Sequence, residues 1–197
     1  MDYRVYHAIN LFVLHHPWLG HAFADLESVT PVVIAVAAFG LWLLARPGAG
    51  RHWKLASASA LASGGLALFV NQLIAKGWRR ERPFAAHPSA HVWGTRSHDP
   101  SFPSDHASAA FGIAFAVFFF DRVAGALFLA AAVAIGVGRV LVGVHYPADV
   151  IAGCFVGLAS AVVVVRLARP LVEWSVRVVE RLTDPLVAPA WRLFGRR

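Results

Sequence analysis

The feature that most constrains this chain is its division into long apolar blocks, at 28–45, 55–75, 123–144 and 147–165. A helix crosses a bilayer with roughly 20 apolar residues at about 1.5 Å rise each. A fifth block, 107–120, reaches that length if its helix begins near Pro103. Charged residues make up only 15% of the 197, where a soluble domain carries about a quarter. The pattern predicts an all-α integral membrane protein with five transmembrane helices.

Both ends predict amphipathic surface helices. Residues 3–15 put Val5, Tyr6, Ile9, Phe12 and Val13 on one helical face, with Arg4 and His7 elsewhere, until Pro17 ends the pattern. A sixth spanning helix here is possible but disfavoured by its length and its histidines. No cleavable signal peptide is expected, because these first residues lack an apolar core. In the tail, Glu173, Arg177, Glu180 and Asp184 recur at helical spacing opposite Leu171, Val178, Val179 and Leu182. A basic end follows, with Arg192, Arg196 and Arg197. The expected organisation is an amphipathic segment at 1–19, a transmembrane domain at 20–170 and an amphipathic basic tail at 171–197.

The formal charge is +7. Its cations sit between apolar blocks and in the tail, without an aromatic-interleaved basic stripe, so anionic membrane lipids are expected as partners and nucleic acid is not. The single cysteine, Cys154, lies inside an apolar block and forms neither an internal disulfide nor a zinc site. With five spans, most of the 18 Lys and Arg residues, including Arg46, Arg51, Lys54 and the tail arginines, fall on one side. The positive-inside rule assigns that side to the cytoplasm.

Three polar clusters interrupt the apolar blocks: KGWRRERPF at 76–84, SFPSDH at 101–106 and RVLVGVHYPAD at 139–149. Counting spans puts all three on one side of the membrane, the outer one. Their residue types suit a phosphoryl group. Arg82 and Arg139 are permanently charged forks that grip phosphate oxygens. Pro103, Ser104 and Asp105 open a helix whose first amides make an anion site. His106 and His145 can divide the roles of nucleophile and general acid. Asp149, four residues after His145, can accept a hydrogen bond from its imidazole. Taken singly, the arginines read as snorkelling anchors and the aspartates as helix caps. Six such residues on one membrane face argue for a site.

These clusters resemble the signature of the type 2 phosphatidic acid phosphatase superfamily: a lysine then Arg-Pro, a Pro-Ser-x-His, and an Arg-x5-His-x3-Asp. RPF followed by FPSDH is most similar to the bacterial undecaprenyl-diphosphatases of the BcrC type, as is the start YRVYHAIN. The resemblance implies a phosphatase that uses neither metal nor cofactor. By it, His145 attacks phosphorus to form a phosphohistidine, Asp149 orients His145, and His106 protonates the leaving group. Arg82, Arg139 and the amides near Ser104 and Asp105 hold the oxygens. It further implies a polyprenyl diphosphate substrate, carrier-lipid recycling for cell-wall synthesis, bacitracin resistance, and a multi-pass place in the bacterial inner membrane with the site facing outward. A homodimer is compatible with it.

Two departures stand out. Ala75 occupies the position of the family's lysine, so either Lys76, Arg79 or Arg80 takes its phosphate-binding role, Lys76 being the first candidate, or the site works without it. Gly138 stands where a serine usually precedes the third motif's arginine. Rival readings are a phosphatase for phosphatidate or phosphatidylglycerol phosphate, with the same site chemistry, and a non-enzymatic lipid transporter or scaffold. Glu27 and Asn71, polar residues inside spans, are the one hint of a transport path.

Overall fold

The computed structural model describes residues 1–45 and 51–194. Of the basic residues named above, Arg46, Arg196 and Arg197 lie outside the described residues, as does the side chain of Arg192. The described chain is all-helical: α1 (Asp2–His15), α2 (Pro17–Leu44), α3 (His52–Gly77), a short α4 (Pro83–Ala86), α5 (Asp105–Phe120), α6 (Arg122–Leu141), α7 (Pro147–Val162) and α8 (Arg169–Phe194). A π-helical turn at Val163–Leu167 extends α7.

The architecture is that of an integral membrane protein. Among the described residues, α3, α6 and the extended α7 are long and apolar enough to cross a bilayer. Helix α2 makes a fourth if its two halves, Pro17–Glu27 and Val32–Leu44, act as one span bent by 47°. The fifth block is a 16-residue helix, α5, shorter than a full span. It is apolar on every side because it is the centre of the bundle, packed against α2, α3, α6 and α7. Ala107, Ala114, Ala116 and Val117 are fully buried. Outer faces carry large exposed apolar side chains, such as Val33, Leu127 and Phe155, as a lipid-facing surface requires.

Small residues let α5 and α7 approach. A Cβ on Gly157 would stand 2.6 Å from the Gly112 amide nitrogen and 2.8 Å from the Ser108 carbonyl. At the C-terminal end of α5, Asp121 caps α6 by accepting from the Ala124 amide at 2.8 Å.

Both terminal helices are tied to the rest of the protein by polar side chains and keep apolar ones exposed. In α1, Tyr6 and Val13 turn inward together with Asn10, while Val5 and Phe12 stay exposed. The Tyr6 hydroxyl donates to the Gly143 carbonyl, and Asn10 bonds both the amide and the carbonyl of His91. Helix α1 closes at His15, just before Pro17 as expected, and Pro17 begins α2 at its first turn. In the tail, the polar stripe of α8 faces the protein. Lys54, only 2% exposed, reaches Asp184 at 2.6 Å and Glu180 at 3.2 Å, and Arg51 holds Glu180 at 2.6 Å. Val172 and Val176 are buried, while Leu171, Leu182 and Leu186 remain exposed.

Candidate active site

The seam between α6 and α7 is built by backbone bonds around Arg139. Its carbonyl accepts from the amides of Val144 and His145, which folds the chain back after the last turn of α6. The reversal needs Gly143, whose φ is +85° and whose added Cβ would lie 2.3 Å from the His91 carbonyl oxygen. Pro147 then starts α7, and Asp149 caps it by accepting from the Tyr146 amide at 2.9 Å.

His145 is buried at this seam, 2% exposed. Its Nδ1 lies 2.8 Å from the Ser101 carbonyl oxygen. A carbonyl only accepts, so Nδ1 carries the proton and Nε2 keeps its lone pair. Nε2 faces Arg82 Nη1 at 3.2 Å. Asp149 Oδ2 stands 3.7 Å from Nδ1, beyond hydrogen-bond reach. Its carboxylate instead accepts from the Ser101 hydroxyl at 2.5 Å and from Arg80 Nη1 at 2.7 Å. Asp149 therefore meets His145 through Ser101, which touches both. Burial pushes the His145 pKa down to about 4; Asp149 pulls it the other way, and the Arg139 and Arg82 charges reinforce the fall.

Arg82 leaves α3 on the connecting loop and is fixed by the carbonyls of Asp99 and Val144, at 2.9 and 3.3 Å. Arg139 pairs through Nη1 with the Glu27 carboxylate of α2. His106 sits in the first turn of α5. Arg82, His106, Arg139 and His145 line one cavity of about 220 Å³, together with Glu27 and Asp105. Two apolar cavities of about 160 and 340 Å³ also touch His106, the first between α2 and α6, the second between α2, α3 and α5.

The other expected contacts are arranged differently. The Ser104 amide donates to the Asp149 carbonyl at 3.1 Å, so that N–H is already used. The Ser104 hydroxyl is buried with no protein partner among the described residues. Asp105 lines the cavity, and its carboxylate accepts from Asn71 at 2.7 Å. Lys76 is exposed at the end of α3 and does not line the cavity. Arg79 is exposed beside a neighbouring cleft. Arg80 turns to Asp149 and to Asp2, with its guanidinium 3.9 Å over the Tyr146 ring. Gly138 has a steric reason: a Cβ there would meet Phe23 of α2 at 2.8 Å.

Sequence reasoning missed the Ser101 carbonyl, the Arg80–Asp2 link and the Glu27–Arg139 pair. The polarity of Glu27 and Asn71 inside apolar blocks was the available signal. Both support site residues, since Asn71 bonds Asp105 and also Ser108.

Comparison with known proteins identifies the family. Residues 53–172 match the profile of the PAP2 superfamily. The chain is 29% identical over 189 residues to undecaprenyl-diphosphatase BcrC of Bacillus subtilis, covering 94% of this chain and 95% of that protein. It is 33% identical over 147 residues to the bacitracin transport permease protein BcrC of Bacillus licheniformis, covering 71% and 72%. The crystal structure of Aquifex aeolicus LpxE superposes with a TM-score of 0.71 at 20% identity, over 84% of this chain and 94% of that one.

Proposed function

Since the chain belongs to the PAP2 superfamily and is a membrane lipid phosphatase, we propose that it hydrolyses undecaprenyl diphosphate to undecaprenyl phosphate and inorganic phosphate. The observation that carries the reading is the meeting of Arg82, His106, Arg139 and His145 around one cavity. The relative named undecaprenyl-diphosphatase supports the choice of a polyprenyl substrate.

The reaction runs in two steps. His145 Nε2 carries the free lone pair and attacks the terminal phosphorus. A P–N bond forms as the P–O bond to undecaprenyl phosphate breaks, and His106 delivers a proton to the departing oxygen. Arg82 and Arg139 hold the phosphoryl oxygens as negative charge spreads over them. Nε2 loses its contact with Arg82 as phosphorus takes its place. Water then attacks the phosphohistidine and gives up its proton to His106, releasing phosphate. The Ser101 carbonyl keeps the His145 proton on Nδ1 throughout, and Asp149 stabilises the charged imidazole from 3.7 Å.

The lipid tail runs from His106 into the apolar cavities beside α2. Five crossings, with 20–170 as the catalytic membrane domain flanked by 1–19 and 171–197, put the site at the outer face of a bacterial inner membrane. There the product re-enters cell-wall synthesis, and removal of the diphosphate raises bacitracin resistance. Anionic lipids contact the exposed basic residues. The reading is of an enzyme and not a carrier, because Glu27 and Asn71 are tied to Arg139 and Asp105 instead of forming a separate polar path.

The test is phosphate release by purified protein from undecaprenyl diphosphate, phosphatidate and phosphatidylglycerol phosphate, side by side. Preferential turnover of the prenyl diphosphate, unaffected by chelator and abolished by His145→Ala, is expected. Preference for a glycerophospholipid moves the substrate assignment, and no release from any prenyl diphosphate ends it.

A further inference from the structure

Two residues that line the cavity each bury one polar atom that lacks a protein partner among the described residues: Glu27 Oε2 and Arg139 Nε. They belong to one ion pair, formed by the other oxygen of Glu27 and Nη1 of Arg139. The side chains are 13% and 6% exposed. Leaving a charged group's hydrogen bond unmade in such a place costs more than leaving a neutral one. The loop approaches closely here, since a Cβ on Gly94 would meet Glu27 Oε2 at 2.2 Å. Glu27 is thus a carboxylate built into the wall of an anion site.

A carboxylate beside an anion repels it unless the anion brings a proton. Arg139 Nε needs an acceptor and Glu27 Oε2, an ionised oxygen, needs a donor. A phosphoryl group with one hydroxyl supplies both: a charged oxygen for the guanidinium and a P–O–H for the carboxylate. An oxyanion with no proton satisfies Arg139 and meets Glu27 as an unpaired like charge.

We propose that Glu27 is a substrate-recognising residue that makes this site selective for a phosphoryl group carrying a proton, by accepting a hydrogen bond from P–O–H. The inference rests on the phosphate-site reading above. It also gives Glu27 its second task, which is to fix the Arg139 fork through Oε1.

The probes are inorganic phosphate, sulfate and monofluorophosphate, titrated calorimetrically into detergent-solubilised full-length protein at neutral pH. The phosphate dianion still bears one hydroxyl, whereas the other two dianions have the same charge and none. Wild type is expected to bind phosphate about ten-fold or more tightly than either analogue, the effect of one charge-assisted hydrogen bond. Glu27→Gln swaps the acceptor for an amide that can donate, so sulfate affinity rises and the ratio falls to within about three-fold. Equal binding of the three anions by wild type overturns the inference and means that solvent serves the two atoms. A preference that survives in Glu27→Gln overturns it as well. Should that variant not fold, the wild-type comparison still decides. Arg139→Ala separates the premises. Phosphate binding that this variant weakens, without selectivity in wild type, sinks the role of Glu27 alone. Phosphate binding that ignores Arg139→Ala, or is absent from wild type, sinks the phosphate site and the inference together.

Discussion

Arg80 Nη1 lies 2.7 Å from Asp149 Oδ1, and its other terminal nitrogen lies 2.6 Å from Asp2 at the start of α1. Asp2 also accepts from the Ala148 amide at 3.1 Å. A fully buried carboxylate beside the candidate nucleophile is thus neutralised by an arginine that the N-terminal helix holds in place. Arg80→Ala leaves Asp149 with the Ser101 hydroxyl and the Tyr146 amide, but with its charge unpaired. An uncompensated buried charge is strongly destabilising, so Asp149 shifts and the imidazole loses its electrostatic support. The expected result is a fall in kcat of about ten- to one-hundred-fold with KM little changed, as for a group felt in the transition state. Steady-state kinetics on folded protein, monitored by size exclusion, check it. Asp2→Asn is expected to move in the same direction by less.

His145 titrates far below an ordinary imidazole. Burial brings its pKa to about 4, so the ring is neutral and nucleophilic throughout the neutral range. In the unfolded chain it takes up a proton near pH 6.5. The native state refuses that proton until about pH 4, so the unfolded state binds more protons in between. Stability from this group is therefore full above pH 6.5 and declines as pH falls toward 4. Nitrogen-15 NMR of histidine-labelled protein is expected to show one imidazole, absent in His145→Asn, that stays neutral down to about pH 4. A midpoint near 6.5 would remove the basis for this assignment.

The parts of the site legible in the sequence were those whose identity is itself unusual in an apolar chain. Arg82, His106, Arg139, His145 and Asp149 stand out against apolar blocks, and span parity brings them to one face before any coordinate is known. The parts that were not legible depend on backbone or on distant partners. The Ser101 carbonyl that sets the His145 tautomer has no side-chain signature. Glu27 meets Arg139 across 112 residues, and Arg80 is one of three arginines in four positions, so only packing could choose among them. The fold shows the same division. Helical periodicity marked both ends as amphipathic, but the faces depend on what lies opposite. Tyr6 turned inward because the Gly143 carbonyl was there, and the acidic stripe of α8 turned inward because Lys54 was.

Gly143 allows a test of the seam without touching a charged group. Its φ of +85° is unfavourable for any side chain, and the His91 carbonyl, 2.3 Å from an added Cβ, is backbone. Gly143→Ala must therefore move either the seam or the loop at His91, which Asn10 holds from both sides. Strain of this kind costs about 1–3 kcal/mol. The expected outcome is a lower apparent Tm in detergent and a loss of turnover larger than the stability change explains, because His145 is two residues away. An unchanged Tm would show that the reversal has slack.

Lys54 allows the opposite experiment, a large loss of stability without a loss of chemistry. The ammonium is buried at the start of α3 and reaches Glu180 and Asp184 of α8. Removing it leaves two carboxylates, of which, among the described residues, only Glu180 retains a cation, Arg51. Breaking a buried pair in this one-sided way costs about 3–5 kcal/mol; Asp184, 29% exposed, escapes part of it by turning to solvent. The candidate site lies beyond the far end of the same helix, and the 22 residues from Lys54 to Lys76 span about 33 Å. Lys54→Ala is therefore expected to lower the apparent Tm and to expose α8 to protease, while kcat/KM per folded molecule stays within about two-fold. Sites this far apart with no shared partner combine additively, so the Tm penalty should be the same in a Glu27→Gln background. A fall in kcat/KM alongside the loss of α8 would instead tie the tail to catalysis, and that outcome would contradict an ion cluster that only anchors it.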